Sequence, residues 1–124
     1  MYKRSEIRRQ INLPIEIAAS FADSLFCLRS HNLSSKGLFV ESSIMPNLGE
    51  FVVCSFELDK QYCFFGQVKR VNLLRRKSDT EIAGFGIKFV DASVYEQQSI
   101  FDSLKGLPPP VPAKRRDGVV IRKI

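Results

Sequence analysis

The sequence has little of the side-chain chemistry that most enzymes and metal sites need. It has no tryptophan, a single histidine at His31, and three cysteines at Cys27, Cys54 and Cys63. Because the cysteines are odd in number and widely spaced, they indicate neither a zinc site nor a disulfide framework. They lie in apolar runs, where we expect buried, reduced thiols. A lone histidine without a positioned nucleophile gives no basis for acid–base catalysis, so we expect a non-catalytic protein with no metal and no cofactor.

Long apolar runs are also lacking. No stretch approaches the roughly 20 apolar residues that span a bilayer, and residues 1–10 are charged with no apolar run behind them. We therefore expect a cytoplasmic protein with neither a membrane span nor a secretory signal. Hydrophobic residues nevertheless make up 44% of the 124 residues, with ten phenylalanines. That content and length suit one domain with one core.

The net charge of +6 is concentrated at the two ends of the chain. Residues 1–9 hold four basic residues and one acidic residue, and residues 107–124 hold five basic residues and one acidic residue. Residues 10–106 hold ten basic and eleven acidic residues. Such asymmetry favours an anionic partner over a uniformly basic surface. For residues 107–124, solubility alone is an equally good explanation.

Most of the chain between these ends has the pattern of β-strands. Glycines inside the later strands, at Gly66, Gly84 and Gly86, indicate the bends of a small closed barrel. We therefore predict an all-β fold, a small six-stranded antiparallel β-barrel with one C-terminal α-helix. The polar segment 31–37 is predicted to be a turn. The predicted strands cover residues 13–19, 25–29, 38–40, 50–58, 62–74 and 81–90.

A helix is predicted over residues 93–105. Ser93 and Glu96 have capping-box spacing, and an apolar face that includes Val94 and Ile100 recurs at helical spacing. We expect this helix to pack across one opening of the barrel.

Residues 107–124 differ in composition from the rest of the chain. Prolines at 108–110 and 112 favour an extended conformation, and basic residues 114–116 and apolar residues 119–121 follow. We predict a flexible tail outside a domain of residues 1–106. Such a tail either orders on a partner or adds a strand to an exposed sheet edge.

Two polar motifs remain unexplained by the fold. The first lies in the basic arm, residues 1–11, where Arg4 and Arg8 stand four residues apart. The second lies between two predicted strands and consists of Asn32, Ser34 and Gly37. Each motif alone is common enough to occur by chance.

Together and in this order, the two motifs resemble those of PilZ domains, the bacterial receptors for cyclic di-GMP. The family pattern is Arg-x-x-x-Arg on an arm before the first strand, then Asp/Asn-x-Ser-x-x-Gly at the connection of the second and third strands. Both motifs are complete in this sequence, and residues 66–71 and 84–89 are similar to later strands of the family. The likeness covers residues 1–106, and the tail has no counterpart in the minimal domain.

The resemblance implies that the second messenger cyclic di-GMP binds between the arm and the turn. An arginine fork can donate two hydrogen bonds to a phosphate or to a guanine edge. The Asn32 side chain can hydrogen-bond a guanine edge, and the Ser34 hydroxyl can hydrogen-bond a phosphate. Gly37 leaves room for the backbone to approach the ligand closely and tolerates a positive φ. The ligand-binding residues that the resemblance implies are Arg4, Arg8, Arg9, Asn32, Ser34 and Gly37.

The resemblance further implies two ligand molecules bound as a stacked dimer. It implies an output by ordering of the arm, which changes a surface read by an unidentified downstream protein. Two alternatives stay open: a PilZ-like adaptor that acts through protein contacts without a ligand, and a small nucleic-acid-binding barrel. The near-neutral body disfavours the last, so we do not expect DNA binding.

Overall fold

The computed structural model describes residues 7–19, 25–73 and 82–107. The elements are β1 (Arg9–Gln10), β2 (Pro14–Ala19), β3 (Leu25–Leu33), β4 (Gly37–Glu41), β5 (Phe51–Glu57), β6 (Gln61–Asn72), β7 (Gly84–Phe89) and α1 (Val94–Lys105).

The strands form one sheet in the order β1-β3-β2-β5-β6-β7-β4, in which every pairing is antiparallel and β4 also pairs with β3. Strands β2 to β7 thereby close a six-stranded barrel with one helix, and the predicted fold class is confirmed. Within the described ranges, no helix has the length and apolarity needed to cross a membrane.

The core fills the inside of the barrel because successive side chains of each strand point to opposite faces. In β5, for example, Val52, Cys54 and Phe56 are buried, and the residues between them point outward. Aromatic rings stack at one end of this core, with the Phe64 and Phe89 centroids 4.6 Å apart. Phe56, Tyr62, Phe64 and Phe89 form this aromatic cluster.

Helix α1 adds its second half to the core. Ile100 and Leu104 are fully buried, whereas Val94, expected on the same face, is 82% exposed. The expectation for Val94 was wrong because the buried side chains of the helix begin only after its first turn. Ser93 and Glu96 form the predicted capping box at its start.

Two of the three cysteines lie on the outside of the barrel. Cys27 and Cys63 are exposed, and only Cys54 is buried. The expectation of three buried thiols was therefore wrong, because Cys27 and Cys63 occupy outward positions of alternating strands. Burial raises the pKa of the Cys54 thiol to about 12.

The segment predicted as a turn is mostly strand. Residues 31–33 continue β3, and the turn proper is confined to Ser34, Ser35 and Lys36. Pairing of β3 with β4 shifts register between Ser30 and Asn32, so His31 is an extra residue in the ladder. This is a β-bulge, which bends the strand and re-aims its side chains. Polar residues at 31 and 32 misled the prediction, because ladder pairing overrides their preference for turns.

Candidate functional site

An open cavity of about 550 Å³ lies on the outer surface of the barrel, where β3, β4, β6 and β7 meet. Its size is within the range of small-molecule sites, roughly 300–1,000 Å³. It is lined by Arg8, His31, Asn32, Lys36, Gly37, Leu38, Phe39, Lys69, Arg70, Asn72, Ile82, Gly86, Ile87 and Lys88.

The two sequence motifs meet directly at this cavity. The Arg8 guanidinium donates a hydrogen bond from Nη1 to Oδ1 of Asn32, at 2.6 Å. The residues after Arg8 form β1, which pairs with the end of β3 through Arg9–Leu33 and Gln10–Asn32. The short strand therefore holds the basic arm beside the second motif, although the two are 24 residues apart in sequence.

The cavity is strongly cationic. Among the residues that the structure describes, five basic side chains line it and no aspartate or glutamate does. Four of them belong to the nearly neutral segment 10–106, so the fold collects charges that are scattered along the sequence. The five are Arg8, Lys36, Lys69, Arg70 and Lys88. The sequence motifs identified only Arg8 among them. The other four basic residues were not predicted, because the net charge of segment 10–106 is nearly neutral and does not show which charges lie together.

A second β-bulge accounts for part of this wall. Pairing of β6 with β7 shifts between Val68 and Arg70, which leaves Lys69 as the extra residue. Both bulged residues, His31 and Lys69, line the cavity. Bulges of this kind are common beside functional sites.

Phe39 forms an aromatic floor under two of the polar groups. It is 8% exposed, and the Arg70 guanidinium carbon lies 5.7 Å from its ring centroid, within the range of a cation–π contact. The His31 ring meets Phe39 edge-on at 6.5 Å. Nδ1 of His31 lies 3.5 Å from a carboxylate oxygen of Glu41.

Gly37 is required by close packing of two strands. A Cβ atom there would lie 2.2 Å from the backbone oxygen of Ile87, far inside van der Waals contact. Its φ is not positive; in the described part of the chain, Gly49 alone has a positive φ, of 85°. Strand packing therefore explains the glycine at position 37, its tolerance of positive φ is not used, and its expected role in ligand approach stays a prediction.

Ser34 lies inside the turn and does not line the cavity. It is fully buried, and its Oγ accepts a hydrogen bond from the Lys36 amide at 3.1 Å and donates to the Gly37 carbonyl at 3.4 Å. Its own amide donates to the same carbonyl at 2.8 Å. These contacts fix the conformation of the segment that carries Lys36 and Gly37.

The remaining predicted site residues are not brought to the cavity wall. Arg9 is half-buried in β1 and does not line the cavity, and its Nε is buried without a hydrogen-bond partner in the described part of the chain. Arg4 lies outside the described residues. Within the ranges the structure describes, no group of three or more histidine, cysteine, aspartate or glutamate residues is placed to hold a metal ion.

A six-stranded barrel with a cation-lined surface cavity beside strand β1 defines a class of small β-barrel domains. Within that class the chain belongs to the PilZ domain family, whose model matches residues 2–106. The predicted family is thereby confirmed. No curated protein sequence matches the chain.

Solved PilZ structures share the fold at low sequence identity. The inhibitor of motility MotI/DgrA from Bacillus subtilis superposes with a TM-score of 0.67 at 16% identity, over 85% of this chain and 51% of that one. The chain thus spans about half the length of MotI. The PilZ domain of CeSA from a cellulose-synthesizing bacterium has a TM-score of 0.54 at 16% identity, over 81% of this chain and 96% of that one. The PilZ domain of Escherichia coli YcgR, solved with c-di-GMP, has a TM-score of 0.59 at 12% identity, over 84% and 91%.

Proposed function

We propose that the protein is a non-catalytic receptor for cyclic di-GMP, which binds in the cavity between the basic arm and the Asn32–Gly37 segment. The observation that carries the proposal is the Arg8–Asn32 hydrogen bond, which joins the two motifs at a cationic cavity. Membership of the PilZ family, with a relative solved with c-di-GMP, supports the choice of ligand.

The charge of the cavity suits this ligand. Cyclic di-GMP carries two phosphodiesters, and a stacked pair of molecules carries four. Arg8, Lys36, Lys69, Arg70 and Lys88 supply five cations with no carboxylate among the lining residues, so binding a second molecule does not require burying uncompensated phosphate charge. We propose that the ligand binds as a stacked dimer.

Each motif residue has a distinct proposed role. Arg8 and Asn32 exchange their mutual hydrogen bond for bonds to a phosphate and a guanine edge. Arg70, held on the Phe39 ring, offers the open face of its guanidinium to a base. Gly37 allows β4 and β7 to pack closely at the cavity wall. Ser34 supports binding indirectly, because its hydroxyl fixes the turn that carries Lys36. Arg4 and Arg9 of the arm are the proposed cations that close over the ligand.

Signalling follows from the way the arm is attached. Only two residue pairs join β1 to β3, whereas fixing each backbone residue of the arm costs about 1–2 kcal/mol of conformational entropy. Ligand contacts with Arg8 supply the free energy that orders the arm on the barrel. The ordered arm and the bound nucleotide together form a new surface for a downstream protein.

Isothermal titration calorimetry of the wild type and Arg8→Ala with cyclic di-GMP tests the proposal. Truncating one partner of a desolvated charged contact costs about 2–5 kcal/mol, so we expect Arg8→Ala to lose at least about 30-fold in affinity. Lys60→Ala is the matched control, because Lys60 is exposed in the β5–β6 turn and does not line the cavity. A stoichiometry of two ligands per chain supports the stacked dimer.

Three results count against the proposal. Wild-type affinity in a folded Arg8→Ala protein removes the arm from the site. No heat signal with folded wild-type protein favours the adaptor that works without a ligand. Binding of a mixed-sequence oligonucleotide that weakens steeply with salt favours the nucleic-acid-binding alternative.

A further inference from the structure

Opposite in character to the cationic cavity, an apolar row crosses the outside of the barrel. Strand register aligns Leu25 with Ala18, Ala18 with Val53, and Val53 with Phe65. The amide of Val90, the residue after β7, donates a hydrogen bond to the Phe65 carbonyl, so Val90 lies beside Phe65 and extends the row by one residue. Leu25, Phe65 and Val90 are 58%, 54% and 49% exposed. We call these five residues the apolar row; contiguous exposed apolar surface of this kind marks a contact site.

An acidic groove lies next to the apolar row on the same outward face. Its lining includes Glu16 and Glu57 together with Pro14, Ser55 and Gln61. Glu57 is four residues from Val53 along β5, which places this carboxylate about 13 Å from the apolar row at roughly 3.3 Å per residue. Arg29, a basic residue paired across from Pro14, directs its guanidinium to Asn12. The groove therefore presents carboxylates.

The described chain leaves the barrel beside this groove. The carboxylate of Asp59, in the β5–β6 turn, accepts hydrogen bonds from Ser99, at 2.9 Å, and from Ser103 of α1. Leu107 follows one turn after Ser103, with its amide bonded to the Leu104 carbonyl. Residues 108–124 thus begin at the end of the barrel that holds the β5–β6 turn, which follows Glu57 in the chain.

The pattern of residues 108–124 complements this face. Basic residues occupy 114–116, and apolar residues occupy 119–121. Arg116 and Val120 are four residues apart, the same separation as Glu57 and Val53 along β5. Six residues, 108–113, connect the barrel to the basic cluster and reach up to about 20 Å when extended.

We propose that residues 108–124 dock on the outward face of β2, β5 and β6. Residues 114–116 lie in the acidic groove, and residues 119–121 cover the apolar row. The barrel is closed by the β3–β4 pairing, so the segment packs across the face of the sheet and not as an added edge strand. This interaction goes beyond the proposed ligand binding and does not depend on it.

Disulfide trapping in the full-length chain tests the docking. Cys63 is exposed and two residues from Phe65 on the same face of β6, so a Val120→Cys variant in a Cys27→Ser background places two thiols together when the segment is docked. Burial and the raised pKa keep Cys54 out of the reaction. We expect an intrachain disulfide between positions 63 and 120, identified by peptide mass spectrometry.

The matched control moves the reporter thiol off the proposed surface. It carries Cys63→Ser and Leu73→Cys, since Leu73 is 53% exposed and follows β6 at its other end. We expect the disulfide with position 63 to form at least about tenfold faster, the ratio given by a 1.4 kcal/mol preference. Arg115→Glu with Arg116→Glu should remove this advantage, and Glu16→Lys with Glu57→Lys should restore it.

Three outcomes overturn the proposal. Equal rates at positions 63 and 73 show that the segment samples the surface without docking. An unchanged rate in the Arg115→Glu, Arg116→Glu protein removes the acidic groove from the interaction. A product of twice the chain mass, formed at a rate that rises with protein concentration, identifies a second copy of the chain as the occupant of the apolar row.

Discussion

Arg70 is held in place by an aromatic ring. Its guanidinium lies over Phe39, and within residues 7–19, 25–73 and 82–107 no acidic side chain lines the cavity around it. An ion pair would position the side chain equally well, but the carboxylate would neutralise the positive charge that attracts a phosphate and would occupy the donors that bind a guanine edge. A cation–π contact restricts the side chain and leaves its hydrogen-bond donors available.

Removing the ring should therefore weaken ligand binding without touching the charge. We expect Phe39→Leu to lower the affinity for cyclic di-GMP by about 0.5–1 kcal/mol, the usual worth of an exposed cation–π contact. Calorimetry of Phe39→Leu, Arg70→Ala and the double variant measures the coupling between the two residues. Fully additive losses would show that Phe39 does not act through Arg70.

Motif reasoning located only part of the candidate site at the level of residues. The structure brings Arg8, Asn32 and Gly37 to one cavity, and ligand binding by these residues stays a prediction that the family resemblance implies. Lys69 escaped notice because the β6 bulge interrupts the period-two pattern from which sequence analysis assigns faces. The Ser34 hydroxyl bonds the backbone of its own turn, as short hydroxyl side chains readily do, and its contact with a ligand stays a prediction.

At the scale of elements, the capping box is the local feature that starts α1. Ser93 Oγ accepts from the Glu96 amide at 3.1 Å, and the Glu96 carboxylate accepts from the Ser93 amide at 2.8 Å. Loss of such a cap costs about 1 kcal/mol. The cost reaches the whole barrel, because Ile100 and Leu104 of this helix belong to the core.

We expect Ser93→Ala to lower the free energy of unfolding by about 1 kcal/mol and the melting temperature by about 4 °C. Urea denaturation followed by circular dichroism measures both the midpoint and the slope. Ser43→Ala, in the exposed loop after β4, is the control and should change stability by less than about 0.5 kcal/mol. A melting temperature equal to that of the wild type would show that α1 does not need its cap.

The strands and the helix were predictable to within a few residues, because alternation and capping are local signals. There were two exceptions: β1, which was not predicted as a strand, and β3, which extends through Leu33 where polar residues predicted a turn. What holds residues 31–33 in a strand is pairing with β1 and β4. The residues of β1 that pair with this segment are more than 20 positions away, and pairing with β4 includes a bulge, so the local sequence pattern does not predict either pairing.

At the scale of the whole molecule, the buried thiol of Cys54 and the buried phenol of Tyr62 should make the fold less stable at alkaline pH. Burial raises the pKa of Cys54 from 9.0 to about 12. Burial, and then the hydrogen bond and negative charge of Asp59, raise the pKa of Tyr62 from 10.0 to about 12, against a smaller lowering by the hydrogen bond with Ser99. Both groups stay neutral in the fold but ionise in the unfolded chain. Their contribution to stability is complete below about pH 9 and is lost as pH rises towards 12.

We expect the free energy of unfolding to fall by about 1.4 kcal/mol per pH unit above pH 9 through Cys54, and by about the same again above pH 10 through Tyr62. Denaturation midpoints measured at half-unit steps from pH 8 upward give the slope of this free energy against pH. Cys54→Val should lower the slope by about 1.4 kcal/mol per pH unit, whereas Ser43→Ala, which removes no acid or base, should leave it unchanged. Identical slopes in the wild type and Cys54→Val would exclude Cys54 as the titrating group.

The barrel also separates two surfaces of different chemistry. The cavity collects cations from the arm, the turn, β6 and β7, while the outward face of β2, β5 and β6 presents apolar side chains and carboxylates. Because different strands carry most of each surface, substitutions on one leave most of the other intact. The nearly neutral charge of residues 10–106 conceals this division, since opposite charges cancel in a sum by segment.

The two-residue pairing of β1 with β3 has a further consequence for the proposed receptor. The barrel closes through β3 and β4 without any contribution from β1, so detachment of β1 is a local opening that does not require the core to unfold. The ligand concentration at which the arm closes and the rate at which the barrel unfolds then depend on different residues. We expect substitutions at Arg8 or at the exposed Gln10 to change the first quantity and to leave the second unchanged.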